Sequence, residues 1–229
     1  MAKKVFIGVG HGGSDPGAVA DGLKEKDINL AVALACRDEL ERHDVLVLMS
    51  RTVDEDDRLG EEIRECNAFS PDLAMDVHNN AGGGDGAEVF YGTSGKGKPA
   101  AENILEEIKK IGQNSRGAKT WVNAKGQNYL GFIRETLAPA ILVECAFLDN
   151  KKDVQIIDTP QEQKQFGVAI AKGILKTLDI AWKEDAKPDS AEGSDVVYRV
   201  QVGAYYVKSN AEAMLEKLKA AGFTDAYIR

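Results

Sequence analysis

Three apolar runs of strand length, Lys3 to Val9, Leu73 to Val77 and Ala140 to Val143, each end on a polar group. The first leads into Gly10-His11-Gly12-Gly13-Ser14-Asp15-Pro16-Gly17, the second into His78-Asn79-Asn80-Ala81-Gly82-Gly83-Gly84, and the third into Glu144. In open α/β sheets, ligands and chemistry gather outside the carboxyl ends of strands, so this pattern constrains both topology and site. Glycines on both sides of His11 leave the backbone room to bend around a small ligand or ion. On that loop alone, a solvent-exposed turn histidine and a metal ligand are equally compatible. Phosphate binding is the weaker reading, because neither GxGxxG nor GxxxxGK[ST] occurs. His78 repeats the arrangement of strand, histidine and glycines, and the chain has only 3 histidines, which favours a shared metal.

Between these strand ends, helical periodicity runs from Lys24 to about His43, through Leu59, Ile63 and Cys66, from Pro99 to Gln113, and from Gln161 to about Trp182. Val45 to Met49 and Ala87 to Tyr91 read as further strands. The alternation predicts an α/β three-layer sandwich: a mixed, mostly parallel twisted sheet flanked by helices, followed by a small partial α+β tail. Glu25 falls in or just before the first helical turn, where a carboxylate complements the helix dipole and needs no further explanation. His43, at the other end of that helix, suits a last-turn cation. Glu144 is costly to bury at the end of an apolar strand without a partner. Asn114 to Asn128 is a Gly/Lys/Asn-rich loop whose Trp121 either faces a substrate or packs.

The formal net charge of −8 (29 − 37) is spread without a basic stripe, which argues against nucleic acid as a partner. No run of eighteen apolar residues exists, so no membrane span is expected. The apolar stretch after Met1-Ala2-Lys3-Lys4 stops at Gly8, which makes it a strand and not a signal peptide. A protein made in the cytoplasm without such a signal acts outside it only after release or lysis. Cys36, Cys66 and Cys145 are far apart and odd in number, so neither a disulfide framework nor a cysteine-rich zinc site is indicated. Cys36 and Cys66 fall at core positions of helices. Residues 183–195 (KEDAKPDSAEGSD) lack apolar periodicity and read as a linker between a domain of residues 1–182 and a segment of residues 196–229. A strand over Tyr198 to Tyr205, a helix over Ala211 to Ala221 and a strand start at Ala226 to Ile228 are expected there. Thirty-four residues (196 to 229) fall below the roughly 40 usually needed for autonomous folding, so this segment is expected to be a fragment or to pair with something.

GHGGSDPGA, LKEKDINLA, the SRT of residues 50–52, VHNN and PAILVECAFLDN resemble, in that order, the zinc-dependent N-acetylmuramoyl-L-alanine amidases of the type-3 cell-wall amidase family. The resemblance spans roughly residues 3 to 180. It implies that His11, Glu25 and His78 bind one Zn²⁺ per chain and that Glu144 is the catalytic carboxylate. It also implies hydrolysis of the amide between the lactyl group of N-acetylmuramic acid and L-alanine in peptidoglycan, by an endolysin or an autolysin. Two imidazoles and one carboxylate suit that chemistry, because they leave zinc a net positive charge and an open coordination position. Asn80 and Arg134 are candidate substrate contacts, although Arg134 more readily ties down a loop. Ala146 stands where the family usually has glycine, which bears on the backbone after Glu144. The separation of 66 residues (144 − 78) looks too short for the inhibitory helix of regulated relatives, which implies an ungated site. YRVQVGAYYVKSNAEAMLEKLKAAGF resembles the first half of a SPOR module, which binds septal or denuded peptidoglycan.

Other readings carry distinct expectations. A thiol hydrolase would use Cys145, although strand alternation points Cys145 and Glu144 to opposite faces. A non-catalytic peptidoglycan-binding protein would hold zinc and sacculi without releasing amines. A zinc carboxypeptidase-like peptidase would cut soluble peptides regardless of glycan. The oligomeric state is not legible.

Overall fold

The computed structural model describes residues 2–93, 97–184, 208–220, 223, 227 and 228. In chain order the elements are β1 (Lys4–Val9), a small hairpin of β2 (Val19–Ala20) and β3 (Leu23–Lys24), α1 (Glu25–Arg42), β4 (Leu46–Met49), α2 (Leu59–Phe69), β5 (Leu73–Asn80), β6 (Ala87–Tyr91), α3 (Gly97–Lys110), β7 (Ser115–Lys119), α4 (Gly131–Glu135), β8 (Ala140–Phe147), α5 (Lys151–Val154), α6 (Pro160–Thr177) and α7 (Lys208–Ala220). Contacts divide the chain into two compact units, Met1–Glu184 and Asp185–Arg229.

The first unit is built on a six-stranded sheet of order β4-β1-β5-β8-β6-β7. β4, β1, β5 and β8 run parallel, whereas β6 pairs antiparallel with β8 and β7 follows β6 in parallel, so the sheet is mixed. Strand alternation sends one set of side chains to each face. Val5, Ile7, Val9, Met75, Val77, Ile141 and Val143 join a layer with residues of α1, α3 and α6, among them Val32, Ile104 and Ile170. Phe6, Ala74, Ala140 and Leu142 face the other way, onto Ile63 and Cys66 of α2 and Phe132 and Ile133 of α4. The three-layer α/β architecture expected from the sequence is therefore present. Among the described residues, no helix is long and apolar enough to cross a membrane.

Local chemistry sets the ends of the long helices. α1 begins after the extended Lys24 and carries Glu25 and Asp27 in its first turn, where carboxylates complement the dipole. α6 opens with a capping box between Thr159 and Glu162, with Pro160 as its first residue. It ends at Thr177, short of the expected Trp182, because Asp179 takes a positive φ of 58° that no helix continues through.

β7 lies inside the stretch expected to be a loop. Its sequence, Ser-Arg-Gly-Ala-Lys, has no apolar alternation, since it is an edge strand that only β6 pairs. In the second unit, α7 matches the expected helix, while the strand expected over Tyr198 to Tyr205 lies outside the described residues. Tyr227 and Ile228 are described and belong to no strand.

α1 and α6 approach closely at Gly167, where an added Cβ would lie 2.5 Å from Val32 O and 2.6 Å from Ala35 Cβ. Alanine would gain about 1 kcal/mol in helix propensity. Overpacking a tight helix contact costs about 1–3 kcal/mol, and the nearest atom here is backbone, so the cost wins. Gly167→Ala is expected to lower the melting temperature by about 2–6 °C in a thermal melt; a rise would show that the interface relaxes freely.

Candidate active site

The site assembles where β1, β5 and β8 end. Gly10 N–H donates to Val77 O at 3.0 Å, carrying β1 pairing one residue past the strand. His11 then adopts a left-handed φ of 62°, uncommon for a residue with a side chain. Arg51, only 2% exposed, holds this bend. Its guanidinium donates to Val9 O (3.2 Å) and Gly10 O (3.4 Å) on one side and to Lys26 O (2.8 Å) on the other, joining the His11 loop to the start of α1.

The glycines leave room for the site's own side chains. A Cβ on Gly10 would lie 2.2 Å from the His78 ring. One on Gly17, where φ is 65°, would lie 2.6 Å from both Glu25 Oε2 and His11 Cδ2. The space they provide is filled by the candidate ligands, so an open loop reserved for a small ligand does not describe it.

Glu25 is the hub. Its carboxylate is 4% exposed and accepts from Ala18 N–H at 2.9 Å and from Asn79 N–H at 3.1 Å. His11 Nε2 lies 3.3 Å from its Oε2 and His78 Nδ1 lies 3.0 Å from its Oε1. The two imidazoles meet edge to face, with ring centroids 5.1 Å apart and planes at 82°. One donor atom from each of His11, Glu25 and His78 falls within 4.8 Å of the others. Burial works against the Glu25 charge, but the two histidines and the backbone donor hold its carboxyl well below the usual range. Bonding to Glu25 raises the His11 pKa, and Asp76 and Glu25 raise that of His78 despite its burial. The histidine side chains remain 27% and 19% exposed, so the cluster has an open side. Two imidazoles and a carboxylate with solvent access form the donor set of a His₂Glu hydrolytic zinc site, and the residues fit that ion.

Parallel pairing of β5 with β8 sets Glu144 beside His78, and antiparallel pairing of β6 sets Glu88 on its other side. All three therefore share a sheet face. Glu144 Oε2 is enclosed and has no hydrogen-bond partner. Burial raises the Glu144 pKa to about 7, with Glu25 and Glu88 adding to the effect and His78 opposing it. That value suits a group that takes and returns a proton near neutrality. Cys145 points into the opposite, apolar layer, and burial raises its thiol pKa well above normal, so it is no nucleophile.

The two expected substrate contacts are engaged within the protein. Asn80 Nδ2 donates to Glu88 Oε1 at 3.1 Å, and Glu88 is also bound by Arg116 at 2.8 Å and by Lys119. Arg134 Nη1 donates to Asn128 O (3.1 Å) and Tyr129 O (2.8 Å), tying down a loop. Trp121 is 46% exposed and stacks on Tyr129. His43 stays out of the chemistry, its Nε2 accepting from Lys183 N–H at 2.8 Å.

Sequence reasoning missed three supporting groups. Arg51 was visible only as part of the SRT tripeptide. Asn29 donates to Gly10 O at 2.9 Å and accepts from Asn79 at 2.8 Å, bracing α1 against both histidine-bearing loops. Asp76 Oδ2 lies 3.1 Å from His78 Nε2, on the far side of the ring from Glu25. A carboxylate inside an apolar strand, two residues from a histidine and so on its face, was the available signal. Asp76 Oδ1 and Glu62 Oε1 are both buried without a partner, and burial next to Asp76 raises the Glu62 pKa well above normal. Both oxygens crowd over Gly8, where a Cβ would lie 2.8 Å from the first and 1.9 Å from the second.

Comparison with known proteins identifies the family. Residues 5–176 match the N-acetylmuramoyl-L-alanine amidase family (Amidase_3), and residues 175–229 match the SPOR domain. The chain is 34% identical over 231 residues to N-acetylmuramoyl-L-alanine amidase CwlM of Bacillus licheniformis, covering 98% of this chain and 84% of the relative. It is 31% identical over 239 residues to the endolysin of Bacillus phage SPP1, covering 96% and 86%. The crystal structure of N-acetylmuramoyl-L-alanine amidase from Clostridium difficile 630 superposes with a TM-score of 0.71 at 31% identity, over 78% of this chain and 97% of that one. The chain belongs to the N-acetylmuramoyl-L-alanine amidase family and is a peptidoglycan amidase with a SPOR region at its C-terminal end.

Proposed function

We propose that this chain is a zinc-dependent amidase acting on the bond between the lactyl group of N-acetylmuramic acid and L-alanine, in the role of an endolysin or autolysin. The observation that carries the reading is the convergence of His11, Glu25 and His78 within 4.8 Å, with Glu144 paired to His78 across the sheet. His11, Glu25 and His78 would hold one ion per chain. Zinc bound there supplies Lewis acidity, which polarises the scissile carbonyl and makes water more acidic.

The remaining chemistry belongs to the protein. Glu144 takes the proton of the attacking water at its enclosed carboxylate and returns it to the departing L-alanine amine. Asp76 holds the His78 ring from behind and fixes its orientation, as carboxylates do for metal-ligating histidines. Arg51 and Asn29 keep the His11 loop and the start of α1 in register. In the proposed division, residues 1–182 catalyse, residues 183–195 link, and residues 196–229 bind peptidoglycan and hold the enzyme on the wall, where it acts after release or lysis. The likeness to a phage endolysin supports a wall-lytic role.

Digestion of purified peptidoglycan tests the chemistry. Glu144→Gln is expected to slow the release of L-alanine amino groups by about 10²–10⁴-fold, and a chelator, unlike a thiol-alkylating agent, is expected to abolish it. Release by Glu144→Gln at the wild-type rate would remove Glu144 from its role.

The raised Glu144 pKa makes a separate prediction for the metal-free protein. A carboxyl whose folded pKa exceeds its unfolded one binds more protons when folded. Its stabilising contribution is complete below the ordinary carboxylate range and is lost as pH rises through about 7. Metal-free Glu144→Gln is therefore expected to gain about 1–3 kcal/mol relative to wild type between pH 5 and pH 8 in denaturant titrations. An offset that does not change with pH would contradict the assigned cause.

A further inference from the structure

We propose that the stacked pair Trp121–Tyr129 is a sugar subsite, which takes the pyranose ring next to the muramoyl residue whose amide is cut. This rests on the amidase reading and adds a contact to the glycan strand.

The two rings are parallel to within 13°, with centroids 4.1 Å apart, yet they are 46% and 51% exposed. Large aromatic rings left in water forgo the burial that ordinarily justifies them. The segment carrying them is nevertheless fixed. Tyr129 N–H donates to Trp121 O at 2.7 Å, Asn123 N–H to Gln127 O at 2.8 Å, and Arg134 clamps Asn128 O and Tyr129 O from outside. Thr93 N–H donates to Asn128 Oδ1 at 3.1 Å and ties the turn to the end of β6. Polar bonds thus hold the hairpin, and the rings are presented to solvent on a rigid support. Preorganisation of this kind lowers the entropy cost of binding.

The position relative to the chemistry follows from strand register. Trp121 lies against Phe90, with centroids 5.9 Å apart. Phe90 pairs with Leu142, two residues along β8 from Glu144 and on the same face. Two strand residues span about 7 Å and one strand spacing about 5 Å. The rings therefore lie beyond the reacting carbonyl by about the length of a neighbouring residue of a polymeric substrate. Between the two arms of that substrate, the stack suits the glycan. A pyranose ring offers a flat array of C–H groups to an aromatic face, with hydroxyls at its edge for the Tyr129 hydroxyl. The free carboxylates of a stem peptide gain nothing from the negative face of an aromatic ring.

Two measurements test the subsite. The first compares cleavage of glycan strands bearing stem peptides with cleavage of a single muramoyl-peptide that has no neighbouring sugar. Trp121→Ala is expected to raise KM on strands about tenfold with kcat unchanged, to leave the single-sugar substrate within twofold, and to be rescued by Trp121→Phe. Tyr129→Ala is read in the same way, should Trp121→Ala not fold. Equal losses on both substrates, or no change on strands, would overturn the proposal. The second measurement needs no activity. The sequence has 2 tryptophans, and the other, Trp182, packs on His43 with Lys172 over its ring. A β-1,4-linked N-acetylglucosamine oligosaccharide is expected to change the fluorescence of wild type and not that of Trp121→Phe. An unchanged wild-type signal, or an equal change in both proteins, would overturn it. Should wild type cleave neither substrate, the amidase reading fails by itself, and the fluorescence result still decides the subsite.

Discussion

A buried carboxylate at the first turn of a helix organises this molecule. Glu25 sits at the start of α1, and two imidazoles and two backbone N–H groups from three other segments converge on it. Taking a carboxylate out of water is expensive unless each oxygen finds partners. That cost fixes much of the local architecture. Gly10 and Gly17 carry no side chain because His78 and Glu25 occupy the volume a Cβ would need. Arg51 is buried because the loop carbonyls that turn away from the sheet require donors. Without a cation the cluster is tolerable only with its imidazoles protonated, and the raised histidine pKa values express that demand for positive charge.

A second constraint comes from sheet register. Parallel pairing of β5 with β8 places Glu144 next to His78, and the reversed β6 adds Glu88 in the same row. The environments of the acids then differ. Glu25 is held ionised by its partners and Glu88 by Lys119 and Arg116 against its burial, while at Glu144 burial outweighs the opposing effect of His78 and the pKa rises to about 7. Two of the three carboxylates are therefore held ionised at neutral pH while Glu144 stands near its titration point, and Glu144 is the one suited to move a proton.

Much of this was legible because the site hangs on buried strands. Apolar runs locate β1, β5 and β8, and the polar residues that end them are the ones that converge. Glu25 was ambiguous because a first-turn carboxylate satisfies the helix dipole whether or not it binds anything; in the structure it holds that first-turn position and also meets both histidines. Asn80 and Arg134 were open between substrate contact and internal tie, with the tie favoured for Arg134; in the structure Asn80 donates to Glu88 and Arg134 to the 128–129 carbonyls. β7 escaped notice because an edge strand needs no apolar alternation. Asp76 and Glu62 were missed because a carboxylate flanked by apolar residues reads as an interruption, until the fold brings the two together over Gly8.

In the proposed metal centre, His11, Glu25 and His78 together hold a single zinc ion. The most direct measurement is metal content per chain by elemental analysis, after dialysis of wild type and His11→Ala, with circular dichroism to show that both are folded. One equivalent of zinc is expected in wild type, and loss of tightly bound zinc in a folded His11→Ala. Full retention of zinc by the variant would contradict that assignment.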